Sequence, residues 1–150
     1  MSKDNYFEIW QGCSGGSAFN IGPVDSKRLT LDASVLDLMK ENDSLCVSIY
    51  DDHFCFEELR PFVLKYFDDN LKWNHCSPEW DRINEASGFD DYSENFYTYE
   101  TAKHMAQDIR QSANGFITPA EAAFRRNLAD AIEKMIKKAP SCDLICFYGP

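Results

Sequence analysis

The sequence predicts one α+β domain over residues 1–150. Its sheet is mixed or mainly antiparallel and covered on one side by helices, with two amphipathic helices and a strand towards the C-terminus. Three observations lead there. Short aromatic and β-branched runs fill the first third of the chain, segments with a helical period and clear start signals fill the last third, and an apolar run, Leu144-Ile145-Cys146-Phe147-Tyr148, closes it. With 44% hydrophobic and 14% aromatic residues among 150, the chain has the material for a core. Usual size scaling buries roughly 70% of the unfolded surface.

Taken in order, residues 5–11 read as a first strand through Tyr6, Phe7, Ile9 and Trp10, and Gly12 to Ser17 as a turn with three glycines. Phe19 to Ile21 suit a hairpin partner that Gly22-Pro23 should break, and Lys27 to Leu31 suit a third strand. Asp32 is placed to cap a short helix carrying Val35, Leu36 and Met39, which Asn42-Asp43 ends. Leu45, Val47 and Ile49 alternate with Cys46, Ser48 and Tyr50, the clearest period of two in the chain. His53 to Glu57 read as a returning strand, and Pro61, tolerated only in a first helical turn, places the next helix at about Leu59–Asp68.

Residues 70–95 read as a long loop with one short helix near Glu79–Asn84. Thr98 then caps a helix whose Ala102, Met105, Ala106, Ile109 and Ala113 recur on one face, with Gly115 as the stop. Thr118-Pro119-Ala120-Glu121 is a stronger start still. It sets a capping hydroxyl, proline at the first helical position and glutamate three residues after the cap, ahead of Phe124, Leu128, Ala131, Ile132, Met135 and Ile136. Lys134, Lys137 and Lys138 suit the far end of that helix dipole.

Charge narrows the function classes. Residues 41–100 hold 15 acidic and 4 basic side chains, so they account for more than the whole net charge of −10. Such a field repels nucleic acid and anionic membrane and attracts basic proteins. No apolar run approaches the ~20 residues of a spanning helix, and the first residues carry no signal-peptide core, so a soluble cytoplasmic protein is expected. There the six cysteines should be free thiols, with Cys46, Cys55, Cys142 and Cys146 acting as small buried hydrophobes.

Chemistry-bearing patterns are sparse. Gly12-Cys13-Ser14-Gly15-Gly16 resembles the glycine-rich surroundings of a nucleophilic serine, yet no helix follows Ser17 as a nucleophile elbow requires. Asp51-Asp52-His53-x-Cys55, His75-Cys76 and Cys142-x₃-Cys146 hold metal-ligating types without metal-site spacing, and no cofactor motif is present. His104 sits beside the apolar stripe of its helix and should face solvent. The acidic pairs Asp51-Asp52, Glu57-Glu58, Asp68-Asp69 and Asp90-Asp91 point to opposite sides wherever the chain is extended, so they build a field rather than a shared-proton dyad. Aromatic residues from Trp73 to Tyr99 are interleaved with carboxylates, the composition of a protein-binding surface.

The stretch Phe96-Tyr97-Thr98-Tyr99-Glu100 running into an amphipathic helix, with the chain's size, acidity and layout, resembles bacterial toxin-immunity proteins of the contact-dependent inhibition type. Those proteins have many unrelated folds, so no site residue carries over. The resemblance implies a bacterial cytoplasmic protein, not an enzyme, that neutralises one cognate toxin by covering its active site or an adjacent surface. The expectation is thus a stoichiometric inhibitor of a basic toxin, a nuclease among the candidate targets. Asp51, Asp52, Glu57, Glu58, Asp68, Asp69, Asp90, Asp91 and Glu94 would steer and pair, with Trp80 and Tyr92 as anchors. The alternative is a small hydrolase or transferase using Cys13, Ser14 or a His–carboxylate set, which requires a pocket near Cys13, His53, His75 or His104.

Overall fold

The computed structural model describes residues 8–14, 18–30, 33–50, 55–74, 88–89, 94–115 and 117–149, with the backbone alone at 50 and 55–57. Five strands form one sheet: β1 (Trp10–Gln11), β2 (Ala18–Val24), β3 (Val47–Tyr50), β4 (Glu94–Thr98) and β5 (Leu144–Tyr148), in the order β1-β3-β2-β5-β4. Every ladder is antiparallel. Among the described residues four α-helices complete the α+β fold: α1 (Val35–Lys40), α2 (Cys55–Tyr66), α3 (Tyr99–Ser112) and α4 (Pro119–Lys138).

Period-two alternation divides the sheet residues between two apolar layers. Phe19, Ile21, Val47, Ile49, Tyr97, Ile145 and Phe147 pack with Leu59 and Val63 of α2, Met105 and Ile109 of α3, and Phe124, Leu128, Ile132 and Met135 of α4. Val24, Cys46, Phe96, Leu144 and Cys146 pack with Leu29 and with Val35 and Met39 of α1. The closing strand lies between β2 and β4, which is why it is apolar at Leu144 to Phe147 without interruption.

Both long helices start where their caps predict. The Thr98 hydroxyl accepts from Thr101 N, and the Thr118 hydroxyl accepts from Glu121 N, each at 3.2 Å. Gly115 is not the left-handed stop expected for α3. That helix ends in tightened turns, with Ala113, Asn114 and Gly115 N–H groups donating to Arg110, Gln111 and Ser112 carbonyls.

Four other expectations are corrected. Residues 27–30 are not a strand, and Leu31 lies outside the described residues: Ser26–Arg28 form a 3-10 turn, because the Asp25 carboxylate accepts from Lys27 N and the Asp143 carboxylate accepts from Ser26 N. Ser34 caps α1, its hydroxyl accepting from Asp37 N, and Asp32 lies outside the described residues. Residues 55–57 open α2 instead of ending a strand, and Pro61 sits inside that helix. Its ring is exposed while Leu59 and Val63 are buried, so packing outweighs the missing N–H, a loss of about 3 kcal/mol in a helix interior. Residues 94–98, read as loop and lead-in, form strand β4. The strand expected from residue 5 is described only at Trp10–Gln11, and the short helix near 79–84 lies outside the described residues.

Gly22-Pro23 also fails to break β2. β3 ends opposite Ile21, so from Gly22 onward β2 has a ladder on its β5 side alone, where a missing N–H is tolerated. Gly22 has its own reason, since a methyl group there would collide with Cys46 Sγ and press on Met39 Cε. Gly22→Ala should cost about 1–3 kcal/mol by overpacking. Thermal unfolding of Gly22→Ala, Cys46→Ala and the double variant checks this, and part of the loss should return in the double variant.

Candidate interaction surface

α2 presents two faces. Leu59 and Val63 are buried and Phe62 and Tyr66 half-buried against the core, so Pro61, Leu64 and Lys65, three and four positions apart, turn outward. Leu64 is the one large hydrophobic among the described residues that is exposed, at 50%. Just past the helix stand Asp68 and Asp69, both exposed. Negative charge at a helix C-terminus opposes the macrodipole, so neither carboxylate is there to hold α2. Asp68 does fix the turn that follows, its Oδ1 accepting from Asn70 N at 2.8 Å.

Of the other predicted contact residues, Glu58 is engaged inside the molecule. Its Oε2 lies 2.5 Å from Arg125 Nη2, and the guanidinium also covers the Phe62 ring. Glu58 therefore joins α2 to α4 and adds little to an outward field. Glu94 opens β4 opposite Tyr148, half-buried. Asp51, Asp52, Trp80, Asp90, Asp91 and Tyr92 lie outside the described residues, as does the side chain of Glu57. Of the predicted contact residues, Asp68 and Asp69 are thus the exposed carboxylates among the described residues, and the exposed Leu64 lies a few positions before them on α2.

On the α3 side, Lys65, Tyr66, His104, Gln107, Asp108, Arg110 and Gln111 line a cleft of about 510 Å³. His104 is exposed, as its place beside the apolar stripe predicts. Asp108 Oδ2 accepts from Lys65 Nζ at 2.8 Å and Tyr66 Oη at 3.1 Å. The Lys65 hydrogen bond is the main reason this carboxyl sits below its ordinary range, and the same contact raises Lys65. Arg110 is held by Asp130 at 2.7 Å and Glu133 at 2.8 Å. The charged groups of the cleft are therefore already paired with protein partners.

Of the glycine-rich stretch, Gly12, Cys13 and Ser14 are held by hydrogen bonds, and residues 15–17 lie outside the described residues. Gly12 has φ +86°, its N–H donates to Cys46 O at 2.7 Å, and its carbonyl accepts from Ser48 Oγ at 2.6 Å. Cys13 N donates to Asp43 Oδ1 at 3.0 Å and Ser14 N to Asn20 Oδ1 at 2.7 Å. After it comes strand β2, not a helix. Cys13, Cys46, Cys142 and Cys146 are free thiols, the last three buried. Among the described residues no group of three or more His, Cys, Asp or Glu is arranged to hold a metal ion, and no helix is long and apolar enough to cross a membrane.

The chain matches no protein-family model, and no curated protein and no solved structure is significantly similar to it.

Proposed function

We propose that this chain is a stoichiometric binding protein of the bacterial cytoplasm that neutralises a basic toxin by covering its active site or an adjacent surface. The observation that carries the reading is the concentration of 15 carboxylates against 4 basic groups in residues 41–100, a stretch in which Leu64, Asp68 and Asp69 are all exposed. An apolar anchor rimmed by carboxylates suits a basic partner: the ring of charge speeds encounter, and the anchor slows escape. Asp51, Asp52, Asp90, Asp91 and Glu94 extend the field along the sequence, and Trp80 and Tyr92 supply further anchors.

The alternative, a small hydrolase or transferase, has its best support in the cleft that holds His104 and Asp108. It is weaker because the Asp108 carboxylate is occupied by Lys65 and Tyr66 rather than left to orient an imidazole.

Co-expression with the product of the adjacent gene, chosen if that product is basic and toxic when expressed alone, tests the reading. A one-to-one complex and loss of that protein's toxicity are expected. Undiminished toxicity with both proteins present and soluble would overturn it.

A further inference from the structure

The connection between α3 and α4 carries the one Asn-Gly pair in the chain, Asn114-Gly115, and the other eight asparagines all precede larger residues. Asn114 and Gly115 are both exposed, whereas Asn20, Asn74 and Asn95 are buried. The Asn114 carboxamide has no hydrogen-bond partner among the described residues. Glycine is not demanded here by the backbone, since Gly115 lies outside the left-handed region and a methyl group built on it would meet only Ser112 O, at 3.4 Å. What the missing side chain does leave is an unhindered amide nitrogen next to an uncommitted carboxamide. We infer that Asn114 is a self-modification site, where the Gly115 amide nitrogen displaces ammonia from the carboxamide and water then opens the resulting ring to aspartate and isoaspartate.

The chemistry balances with water as the only co-reactant. The Gly115 nitrogen attacks Cγ of Asn114, the Cγ–Nδ2 bond breaks, and the Gly115 proton leaves with that nitrogen as ammonia. A five-membered succinimide remains. Water adds to one of its two carbonyl carbons, and the bond from that carbon to the Gly115 nitrogen breaks. Opening at Cγ leaves aspartate, and opening at the backbone carbonyl leaves isoaspartate, in which the chain runs through the former side chain. Nothing is oxidised or reduced, and one water is taken up for one ammonia released.

The fold sets the pace of the first step. Gly115 N donates to Ser112 O at 3.2 Å and Asn114 N to Gln111 O at 3.1 Å, so the nucleophile is freed when the last turn of the α3 end opens. Terminal turns open at little cost, because few contacts go with them. Asn127, inside α4 and ahead of the buried Leu128, has no such freedom. Conversion also changes what stands at this helix end. Either product sets a carboxylate against the negative end of the α3 dipole, and isoaspartate adds one carbon to the backbone just after the buried Ala113.

The test holds the folded chain in mildly alkaline buffer at body temperature, beside a synthetic peptide of residues 111–125 that serves as a clock, and maps samples with trypsin over time. Cleavage after Arg110 and Arg125 isolates Asn114 as the only asparagine of its peptide. That peptide should gain one mass unit and divide into two products, the isoaspartyl form in excess. Endoproteinase Asp-N should cut the aspartyl product at position 114 and leave the isoaspartyl one whole there. Gly115→Ala, whose methyl group the backbone accommodates, should convert severalfold more slowly with an unchanged circular dichroism spectrum. First conversion at another asparagine, Asn114 still intact in the folded chain once the peptide has converted, or Gly115→Ala keeping the wild-type rate overturns the inference.

Discussion

Asn74→Ala is expected to lower stability by about 2–4 kcal/mol, because two buried backbone groups lose their partner and each costs about 1–3 kcal/mol unsatisfied. Among the described residues β4 is the last strand of the sheet, and Phe96 turns its amide and carbonyl away from β5. The Asn74 side chain meets them as a further strand would: its Oδ1 accepts from Phe96 N, and its Nδ2 donates to Phe96 O, each at 2.9 Å. The same amide donates to Asp68 O at 3.0 Å, tying the edge to the segment that follows α2. Asn74 is buried and Phe96 fully so, so water cannot replace the lost bonds without opening the layer. Asn74→Asp is a sharper variant, since it keeps an acceptor for Phe96 N but turns a carboxylate towards two carbonyls. Urea unfolding should show a lower midpoint with an unchanged slope in both, with Asp at least as damaging as Ala.

The second large effect concerns association. A field of one sign raises encounter rates by 10–10³-fold, and Asp68 and Asp69 are two of the carboxylates that make it. Asp68→Asn/Asp69→Asn should slow association with the basic partner by roughly three- to tenfold at low salt and leave dissociation nearly unchanged. Leu64→Ala should do the opposite, leaving association almost intact and speeding dissociation, because a buried anchor acts after encounter. Stopped-flow fluorescence of each variant separates the two. Asn70 needs the Asp68 acceptor only in a surface turn, which an asparagine side chain can still supply, so the pair should leave folding unharmed.

Much of the fold is legible in the sequence where local and tertiary demands agree. α3 and α4 carry hydroxyl caps and an unbroken apolar stripe, and β3 and β5 carry β-type runs that also fill the core. The misreadings fall where tertiary contacts reverse a local rule. Pro61 is held in a helix by Leu59 and Val63, β2 continues through Gly22-Pro23 because β3 has ended, and β4 is completed by an asparagine side chain 22 residues away. The turn Ser26–Arg28 depends on Asp143, 117 residues away from Ser26.

The candidate surface divides in the same way. The exposed carboxylates Asp68 and Asp69 follow from composition and charge runs. Glu58 was read with them, but its partner Arg125 is 67 residues away and invisible to a local pattern. Leu64 has a usable signal: on a helix that buries Leu59 and Val63, position 64 points outward. The hydrogen bond from Gly12 N to Cys46 O needed the β1–β3 register, which no spacing in the sequence encodes.

The most direct test of the binding reading is the association rate of the chain with its basic partner, measured by stopped flow over increasing sodium chloride. Steering by the acidic stretch predicts a steep, continuous fall in rate while the dissociation rate changes little. An association rate indifferent to salt would contradict the account.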